Sequence, residues 1–309
     1  MANDKRGTMG RPGTDLAVVR AGQVEALNAT MTKAAPRLAE IVPRHVDPMR
    51  VIQLAVSAAR RDEKLLACTA SSMLIATAQI AALGLEPSTA LQQAYLVPRK
   101  NRKKVGGAWQ DVQEATAIIG YRGFTLLAYD SEGIDVQAEI VRMGDTFEQA
   151  GGLSPILKHA KCEDENPGDV RGAYAVWELP NGRRRHLWWT ARELRAHRDR
   201  FAPKDYETKA VKGPWADHFE AMCLKTMVRM AAKLWPLSSE RMRSALRVDD
   251  AGEVGRSEFY IPGVGAKADA VKALSAAVGE PPDFYDGPSE DDAPGDPMSE
   301  TAREPGAEG

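Results

Sequence analysis

The sequence predicts an α+β fold, a β-hairpin sheet packed against a long helix, with N-terminal helices ahead of it and disordered termini. Three observations carry this reading. Helical and strand-like patterns follow one another as helices, hairpin, helix, hairpin, helices, and do not alternate as βαβ units do. Asn181-Gly182, set between "RGAYAVWELP" and "RRRHLWWT", is a strong two-residue hairpin signal. A helical pattern over roughly 217–235 is closed by Pro236.

The elements follow in order. Residues 1–14 are rich in Gly and charge, lack periodicity and read as disordered. Asp47-Pro48 looks like a helix start, with proline at the first helical position, and Val51, Leu54, Ala55 and Ala58 continue at helical spacing. A second helix is expected over 69–83, stopped by Gly84 and Pro87. "LQQAYLVP" (91–98) and "VQEATAIIG" (112–120) read as strands joined by a basic loop. A helix then runs from Gly123 to about Asp130 with Gly133 as its cap. Residues 134–145 alternate like a half-buried strand. After the second hairpin, Thr190 to Glu193 forms a capping box that opens another helix. Ser238-Ser239-Glu240 starts a shorter one, and a small helix is expected at 267–278 within an otherwise disordered tail. The domain plan is therefore a disordered 1–14, one folded domain over 15–248 and an acidic tail over 249–309.

At 309 residues the chain is long enough for a sizeable core, and 43% hydrophobic with 27% charged residues is ordinary for a globular protein. No apolar run reaches the roughly 18 residues of a membrane helix and no signal-peptide core is visible, so a cytoplasmic protein without membrane contact is expected. Cys68, Cys162 and Cys223 are widely spaced, which speaks against a disulfide framework or a cysteine zinc site. The net charge of −2 hides an asymmetry: residues 279–309 hold ten acids and one base, so residues 1–278 carry +7. A basic body with an acidic tail fits a body that meets a polyanion.

No phosphate-cradling GxxxxGK[ST], no GxSxG elbow and no metal-ligand spacing occurs, so a catalytic role finds no support in the motifs. The basic constellations are more informative. Lys225, Arg229 and Lys233 share one helix face, without interleaved acids to pair them, and like charges so spaced destabilise a helix unless a partner neutralises them. Arg99, Lys100, Arg102, Lys103 and Lys104 crowd the first hairpin, where they could meet a phosphate backbone or simply protect an edge. Arg183, Arg184 and Arg185 precede Trp188-Trp189. Alternation turns one ring inward and leaves the other free to stack on bases, unless both rings serve packing. Gly120-Tyr121-Arg122-Gly123 sits at a strand-to-helix turn, where backbone N–H groups and Arg122 could hold an anion, or where the glycines serve sterics and Tyr121 the core.

Five blocks then acquire a common meaning. "AQIAALGLEPSTALQQAYLVP" (78–98), "IIGYRGFTLLAYDSEGI" (118–134), "AEIVRMGDTFEQAGGLSPILKH" (138–159), "GAYAVWELPNG" (172–182) and "PWADHFEAMCLKTMVRMAAKLWPLS" (214–238) resemble, in order and spacing, the RecT family of phage-type single-strand DNA annealing proteins. The resemblance covers roughly residues 45–245. It implies a fold distantly similar to the Red-beta annealing proteins. It also implies ATP-independent pairing of complementary strands in recombination, by oligomeric rings or filaments in the cytoplasm of a bacterial host. It implies single-stranded DNA and the annealed duplex as ligands, and an exonuclease and the host single-strand-binding protein as partners. No cofactor is required on this reading, with magnesium as an aid to pairing. The family's Gly-Tyr-Lys/Arg-Gly and Lys-Thr…Arg patterns match 120–123 and Lys225, Thr226 and Arg229, and Lys233 falls at a usually basic place. DNA contact is therefore expected at Arg122, Lys225, Arg229 and Lys233. The bases of the first hairpin, Tyr121, Arg183, Arg185 and Trp188 are added on their chemistry. Leu224 and Met230 stand where many relatives carry further bases, and the 99–112 segment is longer and more basic than the family pattern.

Overall fold

The computed structural model describes residues 12–105, 108–152, 154–205, 207–235, 239–253 and 255. The chain begins with α1 (Pro12–Lys33), which buries Val24, Leu27 and Met31 along one face. This corrects the expectation of disorder up to residue 14, since the helix starts at Pro12; residues 1–11 lie outside the described residues. Short α2 (Ala35–Ala39) leads to α3 (Pro48–Arg61), where Asp47 accepts the Met49 N–H and Pro48 fills the first position. After α4 (Glu63–Leu66) comes α5 (Ala70–Ala82), capped by the Thr69 hydroxyl on the Ser72 N–H. Every residue from Ser72 to Ala82 is buried, so α5 is the central core helix that its all-round apolar sequence demands.

The first hairpin pairs β1 (Ala94–Val105) with β2 (Ala108–Ile119), in register from Ala94↔Ile119 to Val105↔Ala108. Here a second expectation fails. The basic run Arg99–Lys104 is strand and not loop, because each of its residues finds a cross-strand partner between Trp109 and Glu114. Charged side chains at exposed strand positions do not stop a ladder whose pairing runs the whole length of the hairpin. The helix α6 (Tyr121–Glu132) follows at once and ends at left-handed Gly133.

A three-stranded antiparallel sheet, in the order β3-β6-β7, is built from β3 (Asp135–Arg142), β6 (Val170–Glu178) and β7 (Arg184–Thr190). The Asn181-Gly182 turn joins the last two, with Gly182 at φ 76°. Between β3 and β6 a small ribbon of β4 (Thr146–Ala150) and β5 (Ile156–Ala160) stands apart, an element the sequence pattern did not disclose. The capping box is present: Thr190 Oγ1 accepts the Glu193 N–H and Glu193 accepts the Thr190 N–H, opening α7 (Ala191–Phe201).

The long helix expected over 217–235 is broken at His218 into α8 (Pro214–Asp217) and α9 (Phe219–Ala232). Helix α9 packs on the three-stranded sheet and against α6, so the expected hairpin sheet on a helix is observed. The final described helix is α10 (Glu240–Glu253), started by Ser239, whose hydroxyl accepts the Met242 N–H. It reaches past 248, and Asp249 is fully buried, so the folded domain does not stop at 248; the expected helix at 267–278 lies outside the described residues. The base of the first hairpin is gripped from two sides. Ala115 N–H donates to Ser72 of α5 at 2.9 Å, and Gly252 of α10 lies flush on β2, where any Cβ would come within 2.2 Å of the Ala117 carbonyl.

Candidate nucleic-acid interface

The turn at 120–123 is shaped by backbone approach. A Cβ on Gly120 would lie 2.3 Å from the Gln92 carbonyl oxygen, and one on Gly123 would lie 2.2 Å from that of Gln93. Only glycine lets the start of α6 press against the 92–93 backbone, and Gly120 N–H donates to Gln93 O at 2.9 Å. Gly120 is the extended N-cap, so Tyr121 and Arg122 open the helix, and their N–H groups lack partners inside it. Arg122 is exposed; its Nε donates to Tyr121 Oη at 3.2 Å, with the guanidinium 5.8 Å from the ring centre. Among the described residues no carboxylate pairs with it. Tyr121 itself is half-buried at the margin of the core, so it serves packing and also positions Arg122.

The first hairpin has two different faces, sorted by its register. Lys100 and Arg102 share the outer face with Trp109 and Asp111, all exposed, and Trp109 is 61% accessible. Lys100 pairs with Asp111 at 2.8 Å in open solvent, a contact that contributes little. The inner face carries Arg99, Asn101 and Lys103. Lys103 and Asn101 both reach Glu114, at 2.6 and 2.8 Å, and Asn101 also donates to Gly255 O at 3.1 Å. Lys104 pairs with Trp109 through the strand register; its side chain lies outside the described residues. Trp109 was missed in the sequence because it sits alone beyond the basic run. The cue was a large aromatic next to a hairpin turn too short to bury it.

Helix α9 corrects the reading of its basic stripe. Lys225 is only 5% exposed and Arg229 only 7%; Lys233 alone is on the surface. The neutralising acids come from α10, more than twenty residues downstream. Lys225 Nζ donates to Asp249 at 2.8 Å and reaches Glu253 at 3.0 Å. Arg229 binds Asp250 and Glu253 and lies 3.4 Å from Asp249. Asp249 Oδ1 also accepts the Ile119 N–H at 2.9 Å, tying the end of β2 into the cluster just before Gly120. Burial pushes the Asp249 carboxyl up despite Lys225 and Arg229. Burial pushes Glu253 the same way, but there Lys225 and Arg229 win and hold it below its usual range. The stripe is therefore internal and paired in this conformation.

The second hairpin is likewise engaged. Arg183 is exposed, Arg184 pairs with Glu178 at 2.6 Å, and half-buried Arg185 donates to the Arg184 carbonyl. Neither tryptophan is free. Trp188 lies over Gly172 with its ring 4.4 Å from Phe147, and Trp189 stands on the opposite face 5.6 Å from His197. Of the two alternatives for this pair, one ring free or both rings in packing, the arrangement matches the second, because Phe147 of the unforeseen β4–β5 ribbon covers Trp188. Beneath it, His159 bridges Tyr174 Oη at 3.3 Å and Asp145 at 3.0 Å. Burial works to raise the Asp145 carboxyl, yet the Arg142 and Cys162 N–H donors and His159 hold it at about 2.

All three cysteines are free, and burial pushes the Cys68 and Cys223 thiols up to about 12. No helix among the described residues is long and apolar enough to cross a membrane.

The RecT family model matches residues 49–262. The chain is 35% identical over 209 residues to Protein RecT of Escherichia coli (strain K12), covering 67% of this chain and 74% of that protein. It is 25% identical over 209 residues to Uncharacterized protein YqaK of Bacillus subtilis (strain 168), covering 64% and 66% respectively. The match spans the first hairpin, the glycine-flanked turn, both further sheets and the α9 helix described above, and the chain belongs to the RecT family.

Proposed function

We propose that this protein binds single-stranded DNA and anneals complementary strands without nucleotide hydrolysis, as an oligomer along the strand. The observation that carries the reading is the outer face of the first hairpin, which exposed Lys100 and Arg102 share with exposed Trp109. Cations beside a free aromatic ring suit a flexible strand, since the cations neutralise phosphates and the ring stacks on any base. Arg122 at the start of α6, with no carboxylate partner among the described residues, adds a phosphate contact that the helix N-terminus reinforces. Exposed Lys233 and Arg183 extend the set, while Trp188 and Arg185 act in packing. Lys225 and Arg229 reach a strand only when the end of α10 yields. Magnesium assists by screening phosphate repulsion between the paired strands. An exonuclease that exposes single strands and a host single-strand-binding protein are the partners such a role calls for.

Annealing forms no covalent bond, so the chemistry asks only for charge screening, accessible bases and multivalent register. The test is duplex formation from complementary oligonucleotides at fixed salt, with and without protein. Acceleration over the protein-free rate is expected. Binding to each strand with no acceleration would make the protein a single-strand-binding module, and magnesium-dependent degradation of the strands would make it a nuclease.

A further inference from the structure

The last turn of α10 is an unfavourable place for acids. It holds Asp249, Asp250 and Glu253 and no base, although the C-terminal end of a helix dipole repels carboxylates. They are kept there from outside, by Lys225 and Arg229 of α9. The three are not equivalent. Asp249 is fully buried and also binds the Ile119 N–H, whereas the side chains of Asp250 and Glu253 are 60% and 31% exposed. Removing the outer two would leave two cations facing one carboxylate.

A third cation beside them is underused. Arg99 of β1 reaches Gly252 O at 3.5 Å, and its buried Nε has no hydrogen-bond partner among the described residues. The buried Nε of Arg229 and Oδ2 of Asp249 face each other as an ion pair at 3.4 Å, without a hydrogen bond to either among the described residues. Exposed Lys233 follows one turn after Arg229 at the C-terminal end of α9, and exposed Arg200 stands on α7.

We propose that Asp250 and Glu253 are a built-in phosphate mimic, and that a phosphodiester of single-stranded DNA replaces them on Arg229, Lys225 and Arg99 as the last turn of α10 swings out. This deepens the annealing reading and rests on it. The exchange trades one anion for another, so no cation is buried unpaired at any stage, which avoids the large penalty of breaking such a cluster from one side. Lys233 and Arg200 collect the strand before the exchange. Asp249 stays as the anchor and keeps the end of β2 in place. Release of the turn also frees Asn101 from Gly255, which couples cleft opening to the inner face of the hairpin.

The test is amide hydrogen exchange on the full chain, with and without a saturating oligothymidylate. Faster exchange at residues 251–253 in the bound protein is expected. Tight binding with unchanged or slower exchange there would overturn the mimic and leave the annealing reading standing. Failure to bind the oligonucleotide would overturn both. A second arm is the Asp250→Asn, Glu253→Gln double variant. It should bind severalfold tighter, because no carboxylate then competes with the phosphodiester for Arg229 and Lys225. A variant that melts normally yet binds with the parental affinity would refute the exchange.

Discussion

Replacing Arg229 by alanine removes one of two cations that face three carboxylates between α9 and α10. Lys225 alone would then confront Asp249, Asp250 and Glu253, two of them mostly buried. Breaking a buried ion cluster from one side destabilises by about 3–5 kcal/mol. Asp250 is largely exposed, and its share is screened by water, so the lower end of that range is the better expectation. For a domain of this size each kcal/mol moves the melting midpoint by about 2–4 °C, which gives a drop of roughly 6–12 °C at that lower end. Thermal unfolding followed by circular dichroism, without DNA, reads it directly. Adding Glu253→Gln and Asp250→Asn to the Arg229→Ala chain should recover part of the loss by removing the orphaned charges. A melting midpoint for Arg229→Ala within a couple of degrees of the parent would show that Arg229 faces solvent, and the argument from the paired cluster would fall.

Four further outcomes are expected. Arg122→Ala should leave the melting midpoint unchanged and flatten the salt dependence of single-strand binding by about 0.7, one phosphate's worth, in a fluorescence-anisotropy titration. Trp109→Ala should weaken binding by about 1–3 kcal/mol while stability stays within about 0.5 kcal/mol, a split that a ring buried in the core would not show. Gly123→Ala forces a Cβ into the Gln93 carbonyl, 2.2 Å away, and should lower stability by about 1–3 kcal/mol in denaturant unfolding. Asp145 is depressed in the fold to about 2, so its contribution is full above its unfolded value near 4 and is lost as pH falls from about 4 to 2. Denaturant midpoints measured across that window should fall for the parent, and should fall less steeply for Asp145→Asn, which starts from a lower stability at neutral pH.

The local punctuation of this chain was legible because each signal is satisfied within a few residues. Asp47-Pro48, the Thr190–Glu193 box, the Asn181-Gly182 turn and left-handed Gly133 all act where the sequence places them. The α+β order of elements and the family blocks were legible for the same reason, being linear patterns. The turn at 120–123 was read as a strand-to-helix junction, but the need for two glycines lay in the 92–93 backbone, which the sequence does not place beside it. The β4–β5 ribbon went unseen because five-residue strands with mixed exposure carry little periodicity, and with it went the cover over Trp188.

Sequence by itself determined the classes of residue available: a basic body, an arginine between glycines, a basic hairpin and a helix bearing Lys225, Arg229 and Lys233 at one spacing. Only the tertiary structure decided which of those charges are free. Ion pairing between α9 and α10 joins residues 24 positions apart for Lys225 and Asp249, and no local pattern reports it. Burial turned two expected surface cations into a neutralised interior cluster, and strand register turned an anonymous Trp109 outward. Charge is a property of a residue, but exposure is a property of the fold around it, and recognition of a polyanion requires both.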